Sequence, residues 1–228
     1  MTDPFGDDVG VHYRTTRERI VTFVRGLSDV ELATQVPACP GWTVQNVLGH
    51  IAGIPDDLAN GRLKGIPDDA QTADQVARAA TLSAEELLTR WELQAPDFQA
   101  VLTSVGVALA PAAIDLAAHE QDMRGALGQP GARYNATIAW ALPMMVTSLG
   151  SRLRHAGLPA LRVVVEGEVM AQGDADGVSL TISQFEAFRA LLGRRSRNQV
   201  AAYEWSADPA AILDRFFVFG PAAQNISE

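Results

Sequence analysis

From Val11 to His155 apolar residues keep returning at three- and four-residue steps, and the recurrences are separated by capping residues, glycines and prolines. That spacing lines one face of a helix, so the first two thirds of the chain is constrained to be a set of helices sharing one core. Ile20, Phe23, Val24 and Leu27 make the first stripe, with arginines opposite, and Ser28-x-x-Glu31 has the form of a capping box for a short following turn. The stretch PACPGW holds two prolines and a glycine within five residues and reads as a loop. Thr43 caps a second long helix towards Leu63, kinked or divided at Pro55. Residues 64–74 read as a polar linker. Ser83-x-x-Glu86 heads a third long helix through Thr103, Pro111 opens a fourth, and a largely apolar fifth runs from Asn135 to His155.

The period changes near Gly157-Leu158-Pro159. LRVVVEGEVMAQ is β-branched and alternating and reads as a strand, VSLTI as a second one. Gln184 to Leu192 reads as a helix, followed by the basic cluster Arg194, Arg195 and Arg197, and Asp208-Pro209 begins a last helix ending near Phe219. The expected fold class is therefore α+β and predominantly helical. A helical bundle over 1–157 precedes a small α/β domain over 158–228.

Composition narrows the function classes. Net charge is −9, which argues against a nucleic-acid partner, because such partners need a basic face that releases counterions. One cysteine, Cys39, permits no internal disulfide and fits a reducing compartment. The first residues, MTDPFGDD, do not resemble a secretory signal, and no run of about 18 apolar residues is evident. A cytoplasmic location with no membrane partner is the expectation.

Four histidines are present: His12, His50, His119 and His155. His119 follows Asp115 by four residues and precedes Asp122 by three, spacings that share a helix face. Asp115 and His119 can thus point at one spot, with His50 from another helix completing an open three-ligand site for zinc or another divalent ion. The plainer alternative is that these histidines are core or surface residues. Asp122 either pairs with Arg124 or another basic group, or supports His119. His12 and His155 are expected to be solvated. Cys39 is either a nucleophile or a small buried loop residue, and residues 34–42 offer it no basic partner. Arg194, Arg195 and Arg197 either clamp a carboxylate or phosphate or form a solvated basic turn.

The stretches CPGWTVQNVLGHIAG, DLAAHEQDMRGALG and FEAFRALLGRRSRNQVAAYEW resemble the mycothiol-dependent maleylpyruvate isomerase-like family, part of the DinB-like metal-binding superfamily. The likeness spans Val11 to Gly220, and the chain is closer to relatives of unassigned activity than to the isomerase. It implies a DinB-like up-and-down bundle followed by a smaller α/β domain. It implies metal ligands at His50, Asp115 and His119, with Asp115 where the family pattern has glutamate, and a substrate-facing arginine at Arg194 or Arg195. The implied activity is a metal-dependent isomerase or S-transferase using a small thiol such as mycothiol on a small electrophile, as a monomer or homodimer. A non-catalytic module binding a metal or small molecule is the alternative.

Overall fold

A computed structural model describes residues 8–63, 65–174 and 177–228. They form two compact units, one running to Gly131 and taking in Glu228, the other from Ala132 to Ser227.

The first unit is helical: α1 (Val9–Arg25), α2 (Asp29–Leu32), α3 (Val44–Ala59), α4 (Asp69–Ala79), α5 (Ala84–Val105) and α6 (Ala110–Ala126). Helix α1 packs on α5 and α6, and α3 packs on α4, α5 and α6. The expected caps are present: Thr43, Ser28 and Ser83 each accept from the backbone N–H three residues on, and the third residue's side chain reaches back. The core brings together Tyr13 and Ile20, Leu48 and Ile51, Leu88, Trp91 and Leu102, and Leu116 and Met123. Burying each such side chain is worth about 1.5–3 kcal/mol. The Trp91 indole N–H donates to the Tyr13 hydroxyl at 2.8 Å, so both polar handles are paired inside the bundle.

Helix α4 replaces most of the expected linker over 64–74. Asp68 caps it, with Gln71 completing the box, and only Gln75 and Ala79 are buried. With so little apolar surface its period was invisible. Pro55 neither ends nor divides α3, because proline removes only its own N–H, the donor to the carbonyl four residues back, while the helix continues to Ala59. An 18-residue window within Ala84–Ala126 is apolar enough to cross a bilayer, contrary to the expectation. Gly106, at φ 73°, and a 3-10 turn over Gly106–Leu109 break that run between α5 and α6.

The second unit holds α7 (Ala136–His155), β1 (Arg162–Val165), β2 (Glu168–Ala171), β3 (Ser179–Ile182), α8 (Gln184–Leu191), α9 (Arg197–Ala201), β4 (Glu204–Trp205) and α10 (Ala210–Phe216). The sheet order is β2-β1-β3-β4, with β1 antiparallel to β2, parallel to β3, and β3 antiparallel to β4. The single strand expected in LRVVVEGEVMAQ is a hairpin. Glu166 and Gly167 turn it with φ of 51° and 83°, the left-handed pair that suits a two-residue hairpin loop. The composition changes near Gly157, whereas the packing boundary lies at Gly131. The reason is that α7 lays its apolar face on α8 and α10.

Candidate metal centre

Two local structures deliver the key side chains. The loop before α3 is closed by backbone bonds between Val36 and Trp42 and between Cys39 and Trp42, with a bridge pairing Gln35 and Thr43. Gly41, at φ 85°, supplies the left-handed residue this turn needs. Thr43 then starts α3, and His50 comes two turns later, facing α6. On α6, Asp115 and His119 stand one turn apart, as their spacing predicts.

The three side chains meet. His50 Nε2 lies 3.4 Å from one Asp115 oxygen and His119 Nε2 3.4 Å from the other. All three donor atoms fall within 4.8 Å of one another. Aspartate, though a methylene shorter than glutamate, reaches both rings. The rings stand edge to face at 5.1 Å, and the Trp42 indole lies 5.4 Å from His50 and 6.5 Å from His119. Both histidines are 5% exposed, which makes this interior chemistry rather than a surface coincidence.

What holds the rings is as informative as the rings. His50 Nδ1 is 2.7 Å from Gln75 Oε1, which only accepts, so Nδ1 carries a proton and Nε2 is the nitrogen turned towards Asp115 and available to an ion. His119 Nδ1 is 3.0 Å from Asp122 Oδ2, which likewise places a proton on Nδ1 and turns Nε2 to Asp115. Paired outer hydrogen bonds with both Nε2 atoms turned inward are the usual environment of metal-ligating imidazoles. Two nitrogens and a carboxylate leave positions for water or substrate, a donor set suited to zinc or another divalent ion.

The electrostatics agree. Burial is the largest single influence on both charged partners and opposes charge on each, even though 37% of the Asp115 side chain stays accessible. It is outweighed. The adjacent His119 and His50 hold the Asp115 carboxyl well below the usual carboxylate range. Asp115, then Asp122 and Cys39, hold the His119 imidazolium well above its ordinary value. Without an ion the pair therefore keeps a proton on His119 against the Asp115 carboxylate, and a divalent cation would take that proton's place at Nε2.

Several sequence expectations change. Asp122 takes the second of the two roles open to it. It supports His119 and accepts from the Cys39 thiol at 3.4 Å. Cys39 therefore belongs to the periphery of the site, and its Sγ is 3.8 Å from His119 Nδ1, a partner that residues 34–42 could not reveal. His12 is fully buried rather than solvated, because Arg14, two residues on, points to a different side of α1. His155 is exposed, as expected. Gln75 was missed because its helix was missed, and the Asp68-x-x-Gln71 pattern was the available signal. Arg124 instead joins Arg19 on the buried Glu120.

The arginines of the second unit are engaged locally. Arg195 is 3% exposed and donates through Nε and NH2 to both Glu186 oxygens at 2.7 Å, with the Tyr203 hydroxyl on the same carboxylate at 2.6 Å. Arg194 donates to the Leu192 carbonyl at 2.9 Å, and Arg197 pairs with Asp214 at 2.8 Å.

Residues 13–124 match the family model of the mycothiol maleylpyruvate isomerase N-terminal domain. The whole fold is similar to the crystal structure of a histidine-to-alanine mutant of the mycothiol-dependent maleylpyruvate isomerase. The TM-score is 0.55 at 14% identity, over 82% of this chain and 88% of that one. No curated protein sequence matches the chain.

Proposed function

Because the N-terminal unit of this chain belongs to the mycothiol maleylpyruvate isomerase N-terminal domain family, we propose that the protein is a metal-dependent, small-thiol-dependent isomerase or S-transferase. The observation that carries this is the convergence of His50 Nε2, His119 Nε2 and the Asp115 carboxylate, with each Nδ1 already held from outside. We assign His50, Asp115 and His119 as ligands of a divalent ion, zinc by preference. Bound there, such an ion keeps a coordinating thiol deprotonated at neutral pH.

The chain's own residues do the rest. Gln75 and Asp122 fix the orientation of the two rings. Trp42 walls the site and limits water. The thiol, mycothiol in the family's namesake, is the nucleophile. Its sulfur forms a bond to one carbon of an electron-poor double bond, and the π pair moves onto the conjugated carbonyl. The carbon–carbon bond rotates, and the pair returns as the carbon–sulfur bond breaks. If the enolate carbon instead takes up a proton from solvent, the carbon–sulfur bond is kept and the outcome is S-transfer. Arg194 or Arg195, each also bonded within the second unit, is proposed to meet the substrate carboxylate. The proposed setting is the cytoplasm.

Metal analysis of the purified protein beside a His50→Ala/His119→Ala variant tests the reading, followed by mycothiol-dependent turnover of maleylpyruvate. About one ion per chain, lost together with turnover in the variant, is expected for an open three-ligand site. No metal after reconstitution refutes it. Metal without thiol-dependent turnover favours a binding module, the reading that aspartate at position 115 motivates.

A further inference from the structure

Behind His50, on the side away from Asp115, lies a chain of polar groups that continues into α4. His50 Nδ1 donates to Gln75 Oε1 at 2.7 Å, and Gln75 Nε2 donates to Asp57 Oδ2 at 2.8 Å. His50, Gln75 and Asp57 are 5%, 1% and 2% exposed. The other Asp57 oxygen accepts from Arg62 Nε at 2.7 Å and from Arg78. Arg62 and Arg78 are 39% and 33% exposed, so the chain runs from the buried ring to two half-solvated cations.

We propose that Gln75, braced by Asp57, is a positioning residue that locks His50 in the tautomer with a free Nε2 and so sets the affinity of the metal centre. The proposal rests on the metal reading above. Chemistry selects the amide. The position must accept from His50 on one end and donate to Asp57 on the other, and among side chains of this length only glutamine does both. Glutamate would accept from His50 but turn a carboxylate towards Asp57, costing an unpaired buried charge. Leucine would leave the His50 N–H and an Asp57 oxygen without their buried partner, and the ring free to change tautomer. The two rings are therefore held unequally, His119 by a carboxylate and His50 by a neutral amide. A carboxylate raises the basicity of the imidazole it holds more than an amide does.

The experiment uses the full chain, with zinc as the probe. Zinc affinity is measured by competition with a chelating dye, and the His50 tautomer of the metal-free protein by long-range nitrogen–proton NMR. Wild type is expected to keep a proton on His50 Nδ1 throughout. Gln75→Leu should mix the tautomers and weaken zinc by about 10–100-fold. Gln75→Glu, nearly the same shape, should keep the proton on Nδ1 but lower the melting temperature, because its carboxylate faces Asp57. Gln75→Glu/Asp57→Asn should relieve that cost and bind zinc at least as tightly as wild type, because the donor and acceptor have only exchanged sides. Thermal melts of the metal-free variants separate loss of fold from loss of the site, and the double variant decides if Gln75→Leu does not fold. Zinc binding within about twofold of wild type in Gln75→Leu, with an unchanged His50 tautomer, would overturn the proposal. If wild type binds no zinc, the metal reading fails, while the tautomer comparison still decides whether Gln75 positions the ring.

Discussion

Glu120 follows His119 on α6 but points away from it, to α1. Its side chain is 0% exposed and accepts from Arg19 at 2.7, 3.1 and 3.2 Å and from Arg124 at 3.2 Å. Arg19 also donates to Thr16 Oγ1 at 3.1 Å, so the carboxylate anchors α6 against a particular turn of α1. Replacing Glu120 with glutamine keeps the volume and removes the charge. Removing one partner of a buried ion pair costs about 3–5 kcal/mol, because the other charge is stranded. Here the stranded partners are arginines with 24% and 17% of their side chains exposed. They can turn part way to water, which lowers the expected loss to about 2–3 kcal/mol. That is a substantial share of the roughly 5–15 kcal/mol by which a domain is stable. Urea unfolding followed by far-ultraviolet circular dichroism measures it. At a slope of about 1–3 kcal/mol/M the midpoint should fall by roughly 1 M with the slope unchanged. A loss under about 0.5 kcal/mol would put the Glu120 pairs in the class of surface ion pairs and refute the reasoning.

Two further outcomes follow from the same structure. A Cβ at Gly49 would stand 2.6 Å from the Ala79 Cβ, so Gly49→Ala must push α4 off α3. The expected cost is about 1–3 kcal/mol, read as a fall in Tm, with weaker zinc binding because Gln75 moves with α4. In the second unit, burial pushes the Glu186 carboxyl up, but hydrogen bonds from Arg195 and Tyr203 outweigh it and the pKa is lowered from its ordinary 4.5. A carboxyl depressed in the folded state stabilises fully above its unfolded value and loses that contribution as pH falls through the folded one. The advantage of wild type over Glu186→Gln should therefore be level at neutral pH and shrink below pH 4.5, as acid unfolding curves of the two will report.

The local half of this fold was written in short-range signals. Thr43, Ser83 and Ser28 start their helices where their own side chains satisfy the first N–H groups, which needs no distant partner. The pairing of Asp115 with His119 was legible for the same reason, since a four-residue step fixes a shared face. His50 was the natural candidate to complete that pair from another helix, and the likeness of its loop and helix to a known family pointed to the same residue. Spacing alone could not join them, since it carries no information across the 64 residues between His50 and Asp115.

What tertiary structure decided is where polar groups found buried partners. Helix α4 has too little apolar surface to announce itself, yet packing on α3 buries Gln75 behind His50. Cys39 gains its neighbours from α6, 80 and 83 residues away, and His12 is buried because α1 turns it inward. Arg195, conspicuous in a basic run, is drawn onto Glu186 and Tyr203. Side-chain pairing in an interior depends on which helix faces meet, and a one-dimensional pattern fixes the face of each helix but not its partner.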